Sequence, residues 1–332
     1  MSQIKKEGKQ IQHWMEWVRL AEQCKQEGML YLLLTGGEPF IYPHFRELYM
    51  KLHSMGLLIS INTNGTMIDE ETVAWLKNVA PIRVNVTLYG ASGKTYEKIC
   101  GDASGFEKAK KAILLLKAAG INVVINGSMI PENESDVEDI IRFGKEHGIF
   151  TRISTYMFPP VRREREFSDS RCTPEQSADL FIRKNRCMYE REQYTAFLRN
   201  EQSKFHDAVA EEKENWGSSL EYMRCRAGRS TFWISWDGKM TACGMLSFPL
   251  EVYPFQKPFA QCWMELTNAV RSVKVLHECN SCIKKEICNP CVAMLYAETG
   301  DVNRKAQYLC DLTEHIIYKI KEELKEVKQN EK

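Results

Sequence analysis

Seven cysteines in the last third of the chain could do chemistry together: Cys225, Cys243, Cys279, Cys282, Cys288, Cys291 and Cys310. Four of them crowd into the stretch ECNSCIKKEICNPC, where Cys279 and Cys282 form one C-x-x-C bite and Cys288 and Cys291 a second around Asn289-Pro290. Zinc takes four such thiolates tetrahedrally. Iron–sulfur clusters also take four and tolerate three with an open iron. Seven thiolates therefore make one zinc site with a remainder, or two sites of which one is short of a ligand. Arg224, Arg226, Arg229, Lys284 and Lys285 stand close in sequence and would offset the negative charge of a cluster. The chain starts MSQIKKEGKQ, polar and without the apolar core of an export signal, so a reducing cytoplasm is expected and ligands or buried thiols outrank disulfides. Three readings stay open from spacing: a double zinc module, iron–sulfur clusters, or unrelated buried thiols. Cys24, Cys100, Cys172, Cys187 and Cys262 are isolated in sequence and read as free thiols.

A second set of residues points to a polar small molecule. In LLLTGGEPF an apolar run stops at Thr35-Gly36-Gly37-Glu38-Pro39, where two glycines expose backbone to close approach. Glu38 then stands at the C-terminal end of a strand, where α/β barrels place their chemistry. INTNGT ends another run with Thr63, Asn64 and Gly65, and NVTLYGAS ends a third with Thr87 and Gly90. Any one of these is explained by a plain turn; three in succession suggest one polar rim.

The elements that must position these residues alternate. Helical patterns end at Gly28, Gly56, Gly120 and Gly148, each suited to the left-handed stop after a helix, and an apolar strand follows each. A fifth strand, IRVNVTLYG, follows Ala80-Pro81. Near-continuous apolar strands suggest a parallel sheet buried on both faces. Helix faces Phe106, Ala109, Ile113, Leu116 and Trp14, Trp17, Val18, Ala21, Cys24 carry the helical period. Repeated units of this kind predict an α/β layer or barrel with right-handed crossovers. The first element is a helix with no strand before it, which would leave one sheet edge unpaired. Residues 161–220 read as a loop and helix connection, with Thr173, Pro174 and Gln176 marking a capped helix start. WISWDGKMTAC reads as a hairpin that fixes Gly238 relative to Cys243. From 221 to about 310 the chain is cysteine-rich and short of a large apolar core, which suits metal staples, and an amphipathic helix closes it from 313 to 332. A net charge of +1 gives no field for nucleic acid, and no apolar run approaches the roughly 20 residues of a membrane span.

TGGEP followed by INTNG and VTLYGAS resembles the radical S-adenosylmethionine (SAM) enzymes. The late cysteines resemble the SPASM extension of that family, C–(gap)–G-x4-C–(gap)–C-x2-C-x5-C-x3-C–(gap)–C, met by Cys225, Gly238, Cys243, Cys279, Cys282, Cys288 and Cys310; Cys291 follows Cys288 one residue early. The resemblance implies a partial (β/α)6 TIM-type barrel over residues 1–160, here lacking its first strand, and a small SPASM domain over 221–312. It implies two auxiliary [4Fe-4S] clusters, the outer on Cys279, Cys282, Cys288 and Cys310, the inner on Cys225, Cys243 and Cys291 with its fourth ligand unassigned. Gly36, Gly37 and Glu38 match the segment that binds the SAM amino group, and Asn64 and Thr87 match positions facing its ribose and carboxylate.

One departure is large. The family's C-x3-C-x2-C motif, which holds the SAM-cleaving cluster, is absent; only Cys24 and Cys100 precede Cys172. The missing motif and the missing first strand are one piece, which suggests that Met1 is an internal methionine of a longer frame. The expected function is a peptide- or protein-modifying maturase that works through a 5′-deoxyadenosyl radical, with a flavodoxin or ferredoxin as electron donor and no nucleic-acid or membrane partner. The alternative is an inactive iron–sulfur or zinc protein that binds peptide. Sulfatase-type maturation fits less well, because related maturases place an aspartate after the second SPASM cysteine and here Gly244 follows Cys243. No catalytic side chain is assigned.

Overall fold

The computed structural model describes residues 12–159, 171–210, 223, 225–275 and 277–330. The polar stretch 161–170, the end of the expected connection from 211, and Arg224 lie outside the described residues. In chain order, the first half contains α1 (Trp14–Gln26), β1 (Tyr31–Leu34), α2 (Phe45–Ser54), β2 (Leu58–Thr63), α3 (Glu70–Asn78), β3 (Arg83–Thr87), α4 (Gly93–Cys100), α5 (Gly105–Ala118), β4 (Val123–Ser128), α6 (Val137–Glu146) and β5 (Phe150–Ser154). After these come α7 (Pro174–Met188), α8 (Arg191–Ala210), β6 (Trp233–Ile234), β7 (Met240–Thr241), α9 (Phe259–Arg271), α10 (His277–Asn280), α11 (Lys285–Cys288), α12 (Val292–Thr299) and α13 (Gln307–Asn330).

All five strands stand where the apolar runs place them, in one open parallel sheet ordered β1-β2-β3-β4-β5. Gly28, Gly56, Gly120 and Gly148 have φ of 92°, 77°, 75° and 59°, the left-handed helix stops that let each chain reversal feed the next strand. The two faces of the sheet differ. Ile59, Ile61, Val84, Val86 and Ile125 face one way and are at most 1% exposed. Beside them Leu76, Ile113 and Leu116 are fully buried, each contributing about 1.5–3 kcal/mol. The opposite face carries Ser60, Asn62, Arg83, Asn85, Thr87 and Asn126, as the strand register and the alternation of side chains require. Burial by apolar packing on both faces, the expectation from sequence, therefore holds on one face only. At the end of the sheet β1 alternates in exposure: Tyr31 is 68% and Leu33 42% exposed, and Leu33 pairs with Ser60 on the polar side. Among the described residues β1 has a strand neighbour on one side only, the unpaired edge expected from sequence.

Chain contacts divide the molecule into two compact units. The first takes in the chain up to Leu88, Asp102–Asn126 and Arg226–Ser272. Within it the β6–β7 hairpin turns at Gly238, φ 81°, where an added Cβ would come within 2.7 Å of the Phe255 ring. Phe255 packs edge-on against Trp17 of α1, with centroids 4.9 Å apart, and Gln23 accepts the Phe259 N–H at the start of α9 at 2.9 Å. The second unit takes in Tyr89–Gly101, Gly127–Cys225 and Val273–Lys332. Its core joins α7, α8 and α13 through Ala178, Ile182, Leu198, Leu312, Ile316 and Ile320. The expected capping box at Thr173 and Gln176 starts α7, and Pro174 takes the first turn. No helix of the described residues is long and apolar enough to cross a membrane.

The exposed side of β1 makes a prediction. Replacing Tyr31 and Leu33 together by lysine should lower concentration-dependent self-association, measured by light scattering, while denaturation shifts by no more than about 0.5 kcal/mol per exposed site. Unchanged scattering would show that the edge is already covered.

Candidate functional site

In the first unit the rim is built around Glu38. Its Oε1 accepts from Thr63 Oγ1 at 2.7 Å and from Phe40 N at 3.2 Å, and its Oε2 accepts from Asn64 N at 2.7 Å. The carboxylate caps the 3-10 turn Pro39–Ile41 and ties the end of β1 to the end of β2. A carboxylate has about four acceptor positions, so among the described residues one direction on Oε2 is unfilled. Thr63 Oγ1 accepts the Gly65 N–H at 2.9 Å, and Asn64 Oδ1 accepts from Thr66 N at 2.9 Å and Thr66 Oγ1 at 2.8 Å. Thr66, which sequence reasoning missed, thereby sets the Asn64 rotamer. Gly65 has φ 77°, and a Cβ there would stand 2.9 Å from Val86 Cγ1, so only glycine fits this turn. Gly36 and Gly37 are exposed, and a Cβ on either would meet nothing within 4 Å; that open backbone is room for a ligand. Thr87 ends β3, half-buried, in register with Asn126 of β4.

Below this rim lies a row of amides that sequence reasoning also missed. Asn85 Nδ2 donates to Asn62 Oδ1 at 2.7 Å across paired positions of β3 and β2. Asn85 is 5% exposed, and among the described residues neither its Oδ1 nor that of Asn126 has a hydrogen-bond partner. Each such acceptor costs about 1–3 kcal/mol, and acceptors of this kind mark places that water or a ligand fills. The signal was present: one asparagine interrupts each of the apolar runs LISINT, RVNVT and VVINGS.

In the second unit the cysteines gather. Cys279 and Cys288 pack on a small core of Leu295, Ala306 and Leu309. Burial pushes the Cys279, Cys288 and Cys310 thiols up, and neighbouring thiols add to this: Cys310, Cys288 and Cys282 act on Cys279, and Cys282 acts on both Cys288 and Cys310. Lys305, a cation the sequence reading did not single out, counters the effect at Cys279 and Cys310. Lys284 and Lys285, expected to balance charge, are engaged with Glu314 Oε1 at 2.6 Å and the Asn280 carbonyl at 3.2 Å. Cys291 caps α12, its sulfur accepting the Met294 N–H at 3.4 Å. Cys243, in the first unit, likewise accepts the Met245 N–H at 3.4 Å. Cys225 is exposed. Among the described residues no three His, Cys, Asp or Glu side chains are grouped so as to hold one metal ion. Of the isolated cysteines, burial pushes Cys24 up to about 12 and Cys172 to about 11.

Residues 5–144 match the family model of the Radical SAM superfamily. The chain carries a radical SAM domain. Its relatives include an AdoMet-dependent heme synthase of Methanosarcina barkeri, 25% identical over 83% of this chain and 81% of that protein. A PqqA peptide cyclase of Ruegeria pomeroyi is 29% identical, over 40% of this chain and 35% of that protein. In fold, the chain is similar to Streptococcus suis SuiB bound to precursor peptide SuiA, with a TM-score of 0.66, 18% identity, and coverage of 90% of this chain and 69% of that one.

Replacing Glu38 by alanine should strip the acceptor from Thr63, Asn64 and Phe40 and destabilise the fold by about 1–3 kcal/mol in urea denaturation. A loss within the roughly 0.5 kcal/mol of an ordinary surface substitution would refute the clasp.

Proposed function

We propose that the chain is a peptide- or protein-modifying radical SAM protein with an auxiliary iron–sulfur domain. The observation that carries the reading is the C-x2-C-x5-C spacing of Cys279, Cys282 and Cys288 with Cys310 following, of which Cys279 and Cys288 reach one small apolar core. A [4Fe-4S] cluster takes four thiolates, and the pattern in sequence assigns it Cys279, Cys282, Cys288 and Cys310, side chains that are not drawn together into a metal site among the described residues. The pattern in sequence assigns Cys225, Cys243 and Cys291 to a second cluster, and the N–H donors on the Cys243 and Cys291 sulfurs are of the kind that tune such groups. On this reading residues 1–160 hold SAM, 161–220 connect, 221–312 hold the clusters and 313–332 form the closing helix.

The rim suits SAM. Backbone at Gly36 and Gly37 is open, Glu38 keeps one acceptor direction for an ammonium group, and Asn64 and Thr87 stand at the ends of β2 and β3 for ribose and carboxylate. Glu38 also holds Asn64 in place through its backbone, so it both positions and binds. Bound SAM supplies, on one-electron reduction, a 5′-deoxyadenosyl radical able to take hydrogen from an unactivated carbon. The three cysteines that hold the SAM-cleaving cluster in this family are not in this sequence, so radical formation needs ligands from outside it. A flavodoxin- or ferredoxin-class donor and the reducing cytoplasm complete the reading. Peptide as substrate is supported by the PqqA peptide cyclase relative and by the peptide-bound state of SuiB. A second reading, a tetrapyrrole substrate, is favoured by the heme synthase relative, whose similarity spans far more of the chain than the cyclase's.

Anaerobic reconstitution with iron and sulfide tests the proposal. The chain should take up about eight irons and eight sulfides, Cys279→Ser with Cys310→Ser should lose about half, and calorimetry should detect SAM binding that Thr87→Val weakens. Zinc without sulfide would defeat the cluster reading. A Soret-band shift on adding iron-coproporphyrin would favour the tetrapyrrole reading over the peptide one. Turnover of SAM to 5′-deoxyadenosine by this chain alone would overturn the assignment of radical formation to outside ligands.

A further inference from the structure

Among the described residues four buried side-chain polar atoms have no hydrogen-bond partner, and three of them belong to one face of the sheet: Arg83 Nε, Asn85 Oδ1 and Asn126 Oδ1. Native proteins leave few such atoms, so three together mark a place that something else fills. Arg83 and Asn85 lie two residues apart on β3, and Asn126 of β4 is in register with Thr87, two residues further on. At about 3.3 Å per residue the band runs about 13 Å along β3. Ser60 pairs with Arg83 and Asn62 with Asn85, so β2 borders the band with two more polar side chains. Val124 beside Asn85 and Leu33 beside Ser60 are its apolar neighbours on that face.

Arg83 sets the chemistry of the band. Its guanidinium is always charged, its Nε is buried, and among the described residues no carboxylate pairs with it. Arg171, in the second unit, has the usual arrangement of a buried arginine: it grips Glu298 with hydrogen bonds of 2.6 and 2.9 Å. A neutral carbonyl would satisfy the Arg83 N–H and leave the charge uncompensated, whereas a carboxylate answers both. Asn85 is held by its amide nitrogen, which donates to Asn62 Oδ1 at 2.7 Å, so its oxygen is left to accept. The Asn126 oxygen is a second acceptor without a donor. The band therefore suits a ligand that carries N–H groups and one anionic oxygen group. It extends away from the SAM rim: Glu38 ties the ends of β1 and β2 through Thr63 and Asn64, while Arg83 is the first residue of β3, at the opposite end from Thr87.

We propose that this band binds the substrate below the SAM rim, with Arg83 holding the carboxylate side chain of a peptide and Asn85 and Asn126 accepting N–H groups of the same peptide. The inference rests on the peptide-modifying reading and narrows its substrate to an acidic peptide. A peptide backbone offers an N–H at nearly every residue. Extended, it advances about 3.3 Å per residue, so a stretch of about four residues spans the band. Aspartate or glutamate within that stretch supplies the anion. Arg83 is thus a specificity-determining residue, chosen by the fold to reject a neutral side chain at its position.

Calorimetry on the full chain with SAM present tests this. The probes are two short acetylated and amidated alanine–serine peptides, one with a central glutamate and one with glutamine in its place. The glutamate peptide should bind about tenfold tighter, the size expected of one hydrogen bond to a charged group. Arg83→Gln should abolish that preference and leave SAM binding unchanged. It should also leave the melting temperature unchanged or higher, because it removes a buried N–H that no described group satisfies. Arg83→Lys keeps the charge without the planar fork and should retain part of the preference. Equal binding of the two peptides, or none, by wild-type chain that binds SAM overturns the inference and leaves the radical SAM reading standing; water filling the amide oxygens would give that result. A glutamate preference that survives in folded Arg83→Gln overturns it as well, and a lowered melting temperature there marks the arginine as structural. If Arg83→Gln does not fold, the wild-type comparison and Arg83→Lys decide. Arg83-dependent binding of iron-coproporphyrin, followed by its Soret band, without binding of the glutamate peptide overturns the peptide as occupant. Wild-type chain that binds neither SAM nor peptide overturns the function proposed above and this inference with it.

Discussion

The Glu38 carboxylate is the interaction on which the first unit's rim depends. β1 lies at the end of the sheet and can share ladder bonds with β2 on one side only, so its end would be free to drift. Three donors on one carboxylate fix it: a hydroxyl and an amide from the end of β2, and an amide from the turn after β1. Charge-assisted bonds are the stronger kind, and here they come from two chain segments converging on one side chain. The rest of the rim follows. Thr63 passes the constraint to Gly65, and Asn64 passes it to Thr66, so the loop after β2 is held from its first residue. The glycines beside Glu38 can then stay bare, because the neighbouring carboxylate and not their own packing holds the turn.

The second unit solves a different problem. α10 and α11 have four residues each, too short to hold themselves by helix propagation. Cys279 and Cys288, one in each, reach the same small apolar core. Burial of thiols there favours their neutral form, and closely spaced thiols oppose one another's ionisation further. A positively charged iron group would reverse both effects, since the ligands bind as thiolates. Lys305 is the compensating charge already in place. The short helices, the raised thiols and the single cation are thus consequences of one arrangement.

Much of this was legible in residue order. The glycine stops, the five strands, the Asp-Gly hairpin and the Thr173 cap rest on local chemistry, so neighbouring residues were enough to place them. The polar face of the sheet was not read, because Ser60, Asn62 and Asn85 are diluted among Ile and Val and show their common face only once the register aligns them. Glu38 was expected to meet a ligand, while its ties to Thr63 and Asn64 join residues 25 and 26 apart, which no local pattern encodes. Lys284 and Lys285 looked like the balancing charges for the same reason that Lys305 did not: proximity in sequence stood in for proximity in space. The Arg171–Glu298 pair spans 127 residues and left no trace in either segment.

The two substrate readings differ in what they ask of the polar face. Asn85 is held by its own amide nitrogen on Asn62, which leaves its carbonyl oxygen without a donor, and Asn126 carries a second such oxygen. Acceptors in that position are satisfied by N–H or O–H groups. A peptide offers an N–H at nearly every residue. A tetrapyrrole bearing carboxylates presents acceptors at its rim, which would repel the amide oxygens and meet only Arg83 Nε, a buried donor on the same face without a partner among the described residues. Similarity to the heme synthase extends further along the chain, yet at 25% identity it is a likeness of the whole architecture, whereas the unfilled amide oxygens are a property of particular side chains. A peptide, which carries N–H and C=O groups together, could meet both the amide oxygens and the Arg83 donor, whereas a carboxylate rim meets the donor alone.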